Sequence, residues 1–359
     1  MKKNKEFKSF IFILLFAAVL NFTAVLNAHS YRAESGIKYY NIRLGNIPKT
    51  RSIAIDKLGN VWIGNKYSGT VQEINGQSRR IIRTIFLGKG SKPRALAIDG
   101  NGNVWVADKG YASVKEINGA TGQVTATVRL VKYSKPKSIA VDGNGNVWTA
   151  SKNNGTVQEI NGQSRRIIRT IFLGKGSKPR ALAIDGNGNV WVADKGYGTV
   201  QEINRGTGKV ISTIYLSKKS HPFSLAIGKS GNVWVANHKT GTVQKISGKT
   251  HKILSTTLLP SSAFAHPKSI AIDGSGNIWA ADKGNGRIVE INHKNGRIMR
   301  SLNVSAFDRP NIIAIDKSGN IWVPNIPGAS LIEIVSAAKG PEYFPHIYSA
   351  SNASYPQWP

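Results

Sequence analysis

Apolar and polar residues fall into short β-type runs, four to a unit, and nowhere into a helical period. In the second unit the runs read Pro93-Arg-Ala-Leu-Ala-Ile-Asp99, Val104-Trp-Val-Ala-Asp108, Ser113-Val-Lys-Glu-Ile-Asn118 and Gln123-Val-Thr-Ala-Thr-Val-Arg-Leu130, with Gly/Asn/Lys turn clusters between them. The same text recurs around Trp62, Trp105, Trp148, Trp191, Trp234, Trp279 and Trp322, spaced by 43, 43, 43, 43, 45 and 43 residues. A period in the forties with four strands per unit is that of a propeller blade. Seven units predict an all-β, seven-bladed β-propeller with four-stranded blades of about 43 residues.

The ends are consistent with that count. The seventh unit keeps its first three runs, at 312–316, 321–324 and 330–334, then leaves the pattern at Ala337. Tyr40-Asn-Ile-Arg-Leu-Gly45 is placed to supply the fourth, because Gly45 lies eleven residues before Asp56, as Gly88 does before Asp99. The N-terminal strand is therefore expected to close the last blade, protecting edges that an open ring would leave unpaired. Residues 69–111 are identical to 155–197, an offset of 86, or two units. A unique catalytic centre cannot reside wholly inside a copied stretch.

Outside the repeats, Lys2, Lys3, Lys5 and Lys8 precede an apolar run from Phe10 to Leu20, the layout of a secretory signal peptide. The expected organisation is a leader over 1–28, an N-terminal linker over 29–37, the propeller over 38–336 and a Pro/aromatic-rich tail over 337–359. No later stretch is long enough to span a membrane, so an exported, periplasmic or extracellular protein is expected after leader cleavage, and a monomer. The absence of cysteine excludes disulfides, thiolate metal sites and cysteine nucleophiles.

Charge narrows the choice of partner. The chain carries 49 Lys+Arg against 19 Asp+Glu, and removing the leader leaves 45 against 18, a net +27. Such an excess calls for an anionic partner, such as single-stranded nucleic acid, acidic polysaccharide or an acidic protein.

The repeats resemble bacterial propeller repeats of the NHL and YVTN type. The Trp within Gly-Asn-Val-Trp-Val-Ala-Asp is most similar to the streptogramin lyase (virginiamycin B lyase) family, over about residues 38–335. The resemblance implies metal-assisted elimination that opens a cyclic depsipeptide ester. It also implies a His just after the Pro that opens an inner strand and a Glu ending the following Trp strand. At the matching positions stand Phe223 and Asn237 in the fifth unit, and Lys268 and Asp282 in the sixth.

Fifteen of the nineteen acids occupy three repeat positions, where capping and strand-edge pairing account for them. Asp99-Gly-Asn-Gly-Asn103 has the first half of a calcium loop but no closing Glu, and reads as a tight hairpin. The residues themselves assign no metal ligands and no catalytic pair. The one local asymmetry is histidine: His221 and His266 precede the Pro of units five and six, and His238 follows the fifth Trp strand. Under the lyase reading, His221, His238, His266, Lys268 and Asp282 would form the site, and Mg2+ would be the implied cofactor. Under the binding reading no cofactor is needed.

In a propeller, the loop before each inner strand and the loop after each second strand share one rim. That rim gathers Lys66, Lys109, Lys152, Lys195, Lys239 and Lys283 from one set of loops, and Lys92, Arg94, Lys178 and Arg180, with Lys137 and Lys268, from the other. Tyr67, Tyr111 and Tyr197 lie among them, a combination suited to phosphates and stacked bases. The opposite rim is also basic at Arg79, Arg80, Arg165 and Arg166. The expected function is thus an exported binding or scaffold propeller with an anionic partner at the loop rim, and a streptogramin lyase-like enzyme is the alternative.

Overall fold

Each unit forms one antiparallel sheet whose burial increases towards the axis. In the second blade the outermost strand Val124–Arg129 is largely exposed, Val104–Asp108 is wholly buried, and the inner strand Pro93–Ile98 is buried except at Arg94. The structure, a computed structural model, describes residues 29–32, 38–45, 49–217, 219–304, 309–326 and 328–338, with the short strands Tyr348–Ser349 and Asn352–Ala353. The expected leader and most of the tail lie outside the described residues.

Seven sheets form a ring of seven blades, with no helix among the described residues. Six sheets have four strands in chain order, and the inner strands of blades one to six lie side by side around the axis. The seventh takes Ala314–Ile315, Ile321–Asn325 and Ser330–Ile334 from the C-terminal side, and Lys38–Arg43 from the N-terminal side. Its seam runs from Tyr39 opposite Ile334 to Arg43 opposite Ser330, the closure read from the sequence. His29–Arg32 pairs outside Lys38–Arg43 as a fifth strand, where a linker was expected. The pair Tyr348–Ser349 and Asn352–Ala353 crosses the axis, the first strand against the inner strands of blades one to three and the second against those of blades four to six.

Closure is reinforced by charge. Arg79 of the first blade donates Nε to Glu333 of the seventh at 2.5 Å, and its guanidinium lies 3.7 Å from the ring centroid of Tyr40 in the closing strand.

Within a blade the register is set by two features. In six blades the Trp indole N–H donates to the Asp that follows the inner strand, at 2.8–3.0 Å, as in Trp105 to Asp99. The other oxygen of Asp99 accepts the backbone N–H groups of Asn101 and Asn103, so the Asp-Gly-Asn-Gly-Asn run is a hairpin. The second feature is a slip in the ladder at the opposite end of the inner strand. Pro93 faces Asp108 and Ala95 faces Ala107, so Arg94 is skipped, and blades one to six all slip at this position. A bulge of this kind turns the extra residue out of the ladder.

The fifth blade has Gly228 where the others have Asp, so Trp234 lacks its carboxylate. A Cβ at Gly228 would meet only Asn232 O at 3.8 Å and Ile272 Cδ1 at 3.9 Å. Restoring the acid by Gly228→Asp should therefore stabilise the protein by about 0.5–1.5 kcal/mol. A denaturation midpoint that stays put or falls would show that the bond does not set blade stability.

Candidate functional site

The bulged residue of each inner strand faces the axis. Arg51, Arg94, Lys137, Arg180, Phe223 and Lys268, one from each of blades one to six, line an open pocket with Asn311 and Ile312 of the seventh. Its free space, mouth included, is about 510 Å³. Five of the seven blades thus present a basic side chain to one axis.

No carboxylate pairs with these cations among the described residues. Arg51 Nε and Asn311 Oδ1 are buried without a hydrogen-bond partner. Burial, and then the neighbouring guanidiniums, push Arg94 down to about 10 and Arg180 to about 9, both still charged at neutral pH. Burial first, then Arg94, Arg180, Lys109 and Lys152, pushes Lys137 down to about 6. Burial first, then Lys283, Arg180, Arg51 and Arg94, pushes Lys268 to about 7. The Arg180 guanidinium is stacked 3.6 Å from the centroid of Phe223, and Lys268 Nζ lies 5.5 Å from the same ring.

The nearest acids are already engaged. Asp108, fully buried, accepts Lys92 N and Gly110 N at 2.8 Å and the Ser91 hydroxyl at 2.7 Å. Asp194 accepts the equivalent groups of Ser177, Lys178 and Gly196. Asp282 accepts His266 N at 2.7 Å, Gly284 N at 3.0 Å and Asn285 Nδ2 at 2.8 Å. These carboxylates tie the two loops of the rim together, and among the described residues none of them pairs with a rim ammonium group.

The expected sharing of one rim by the two loop sets is seen in the backbone. Lys66, Lys109, Lys152, Lys195 and Lys283 each donate N–H to the loop before the inner strand, at 3.1–3.3 Å, and Lys239 donates to Ser220. Burial, and after it the surrounding cations, lower Lys109, Lys152 and Lys195. Burial also lowers Lys66, whose neighbour Tyr67 partly offsets it. Lys92, Lys178 and Lys239 are exposed. The hydroxyls of Tyr111 and Tyr197 donate to Lys89 O and Lys175 O and so pin the glycine-rich loops, and Tyr67 accepts from the Lys49 side chain.

Two expectations about charge change. Arg94 and Arg180 belong to the axial pocket and not to the loop rim. On the opposite rim, Arg79 and Arg165 are not free, since they pair with Glu333 and with Glu116 of the preceding blade. His251 occupies the same place in the fifth blade and bonds Glu202 at 2.6 Å. The uncompensated charge is therefore concentrated on the loop side.

Of the histidines, His238 and His266 come together with rings 4.9 Å apart, and His238 lies 4.8 Å from Phe223. Burial, then Lys268 and His266, push His238 down to about 3, and its Nδ1 is buried without a partner. His266 Nδ1 is bonded to Phe264 O. His221 sits at φ 52° and accepts the His238 backbone N–H through its own carbonyl.

A profile of the Virginiamycin B lyase family matches residues 45–333. The chain belongs to that family. Among solved structures it is similar to virginiamycin B lyase from Staphylococcus aureus, at 20% identity over 83% of this chain and 99% of that one, with a TM-score of 0.75. It is also similar to a streptogramin B lyase, at 19% identity over 83% and 97%, TM-score 0.73. Hydrazine synthase of Kuenenia stuttgartiensis aligns comparably, at 14% identity over 82% and 97%, TM-score 0.73, so at this distance the likeness speaks for fold. No curated protein matches in sequence.

The metal that the family resemblance implies does not fit this member. Phe223 and Lys268 stand where the resemblance implies ligands, and Asp282 is engaged by three loop donors. Asn237 gives its amide N–H groups to Thr242 and Gln244. Among the described residues no three His, Asp or Glu side chains lie close enough to hold an ion.

Sequence reasoning missed Arg51, Phe223 and Asn311 as axial residues and read Lys137 as a loop cation. The signal was available, since each is the residue after the Pro, or its equivalent, in its unit. In the unligated protein Lys137 stays neutral down to about pH 6, whereas the unfolded chain takes up that proton below about pH 10. This group therefore favours unfolding increasingly as pH falls from about 10 to about 6. Lys137→Met should narrow the difference in melting temperature between pH 9 and pH 6.5, and an unchanged difference would show that the amine is not held neutral.

Proposed function

We propose that this family member is an exported binding propeller for an anionic partner, which the rim lysines gather and the axial ring seats. The observation that carries this reading is the convergence of Arg51, Arg94, Lys137, Arg180 and Lys268 on one pocket without a carboxylate partner among the described residues. Like charges held together destabilise the unligated protein, and a ligand that supplies the missing negative charge reverses the effect. The rim lysines raise the local concentration of anions and steer them towards the axis. The lyase alternative receives no support from the side chains at its expected ligand positions.

Binding of a fluorescent single-stranded oligonucleotide, an acidic polysaccharide and inorganic pyrophosphate, each from low to near-physiological salt, tests the reading. Affinity should fall steeply with salt. Arg94→Gln and Arg180→Gln should each weaken binding by roughly ten- to hundredfold, the range of a charge-assisted hydrogen bond. The same substitutions should raise the melting temperature of the unligated protein, because they relieve repulsion. Lowered melting temperatures with unchanged binding would make the arginines structural. Failure to bind all three anions, or Mg2+-dependent opening of a streptogramin B ring, would overturn the proposal.

A further inference from the structure

Around the axial ring the order is Arg51, Arg94, Lys137, Arg180, Phe223, Lys268, Asn311, so Lys137 is the one lysine with an arginine on each side. The two arginines are counterparts in identical stretches, 69–111 and 155–197, while Lys137 lies in the sequence between the copies. The inner strands that carry the three residues, Pro93–Ile98, Pro136–Val141 and Pro179–Ile184, are neighbours around the axis.

That juxtaposition has a chemistry beyond charge. Two guanidiniums that stay protonated present paired donors suited to a carboxylate. Between them stands a primary amine that burial and its cationic neighbours keep largely unprotonated at neutral pH, leaving its lone pair free. A lysine held in this way adds little charge to an unligated ring, so attraction of anions alone does not account for an amine at this position. Desolvation beside other cations is the usual means of turning lysine into a nucleophile towards carbonyl carbon. Stacking on Phe223 fixes the Arg180 guanidinium, and the rest of the Phe223 ring gives the pocket an apolar wall.

We propose that the axial pocket receives a small 2-oxo acid, its carboxylate held by Arg94 and Arg180 while Nζ of Lys137 adds to the adjacent carbonyl and forms an imine. The inference rests on the reading of this pocket as an anion site and names the class of anion. The amine lone pair makes the C–N bond, and the carbonyl oxygen takes up the two amine protons and departs as water. Neither oxidant nor reductant is required.

Reductive trapping provides the test. The protein is incubated with pyruvate and sodium cyanoborohydride at neutral pH, and the modified lysines are located by peptide mass spectrometry. The adduct should form on Lys137 at least roughly tenfold ahead of the loop lysines Lys89 and Lys175, because the flanking guanidiniums hold the carboxylate beside that amine. Acetaldehyde, which has no carboxylate for the guanidiniums to hold, should show a smaller preference for Lys137 than pyruvate does. Arg180→Gln should reduce trapping of pyruvate more than trapping of acetaldehyde, and Lys137→Arg should abolish the preferred adduct in a protein whose unfolding remains cooperative. Adducts spread evenly over the lysines, or centred on Lys268, would overturn the assignment. If pyrophosphate still bound the protein in that case, the anion site would stand and only the imine would fall. If none of the three anions bound, both would fall together.

Discussion

The bond from the tryptophan indole to the aspartate after the inner strand holds the two innermost strands of a blade in fixed register. It gives a buried N–H its partner and lets the same carboxylate organise the hairpin between the strands. At the other end of the inner strand the ladder slips at the second residue, in the fifth blade without the bond as in the blades that have it. The skipped side chain has the axis before it and buried neighbours on both sides. Whatever residue stands there is presented to a common centre by blade after blade.

Repetition converts that local constraint into electrostatics. In an ordinary fold, a half-buried arginine without a carboxylate is an isolated cost. Here the same position recurs around a closed ring, so the cost is concentrated in one pocket. Asp108, Asp194 and Asp282 on the loop side are engaged by loop donors and pair with none of these cations among the described residues. The opposite rim behaves differently. Its glutamates pair with arginines of their own blade at Glu73, Glu159 and Glu290, and with a residue of the next blade at Glu116, Glu202 and Glu333. One face of the ring pairs its glutamates with basic residues, three of them across blade boundaries, and on the other face no ion pair forms among the described residues.

The architecture was legible because it is written in spacing. Seven tryptophans at a near-constant interval, and a last unit lacking its fourth strand, were enough for blade number and closure. The rim was legible as well, since loops at equivalent positions must lie at the same end. The axial ring was not, because Arg94 and Lys137 differ from their loop neighbours only in a ladder slip, a property of pairing that no single run displays. Likewise Arg79 and Arg165 look like surplus charge until the next blade is in place, since Arg79 meets a glutamate 254 residues away in sequence and Arg165 one 49 residues away. Family resemblance pointed to the right fold, yet the side chains at its ligand positions had to be read individually.

The copied stretch bears on how such a pocket arises. Duplication of residues 69–111 as 155–197 reproduces Arg94 as Arg180, Lys92 as Lys178 and Lys109 as Lys195, so it multiplies cations without adding a counterion on the loop side. The blade between the copies keeps Lys137, and the fifth blade keeps Phe223. Repetition alone would give a ring of identical guanidiniums, able to hold an anion but not to distinguish one from another. On the proposed reading, selectivity comes from the positions where the repeat is broken, which in this ring are the amine of Lys137, the Phe223 ring, the Lys268 amine and the Asn311 amide.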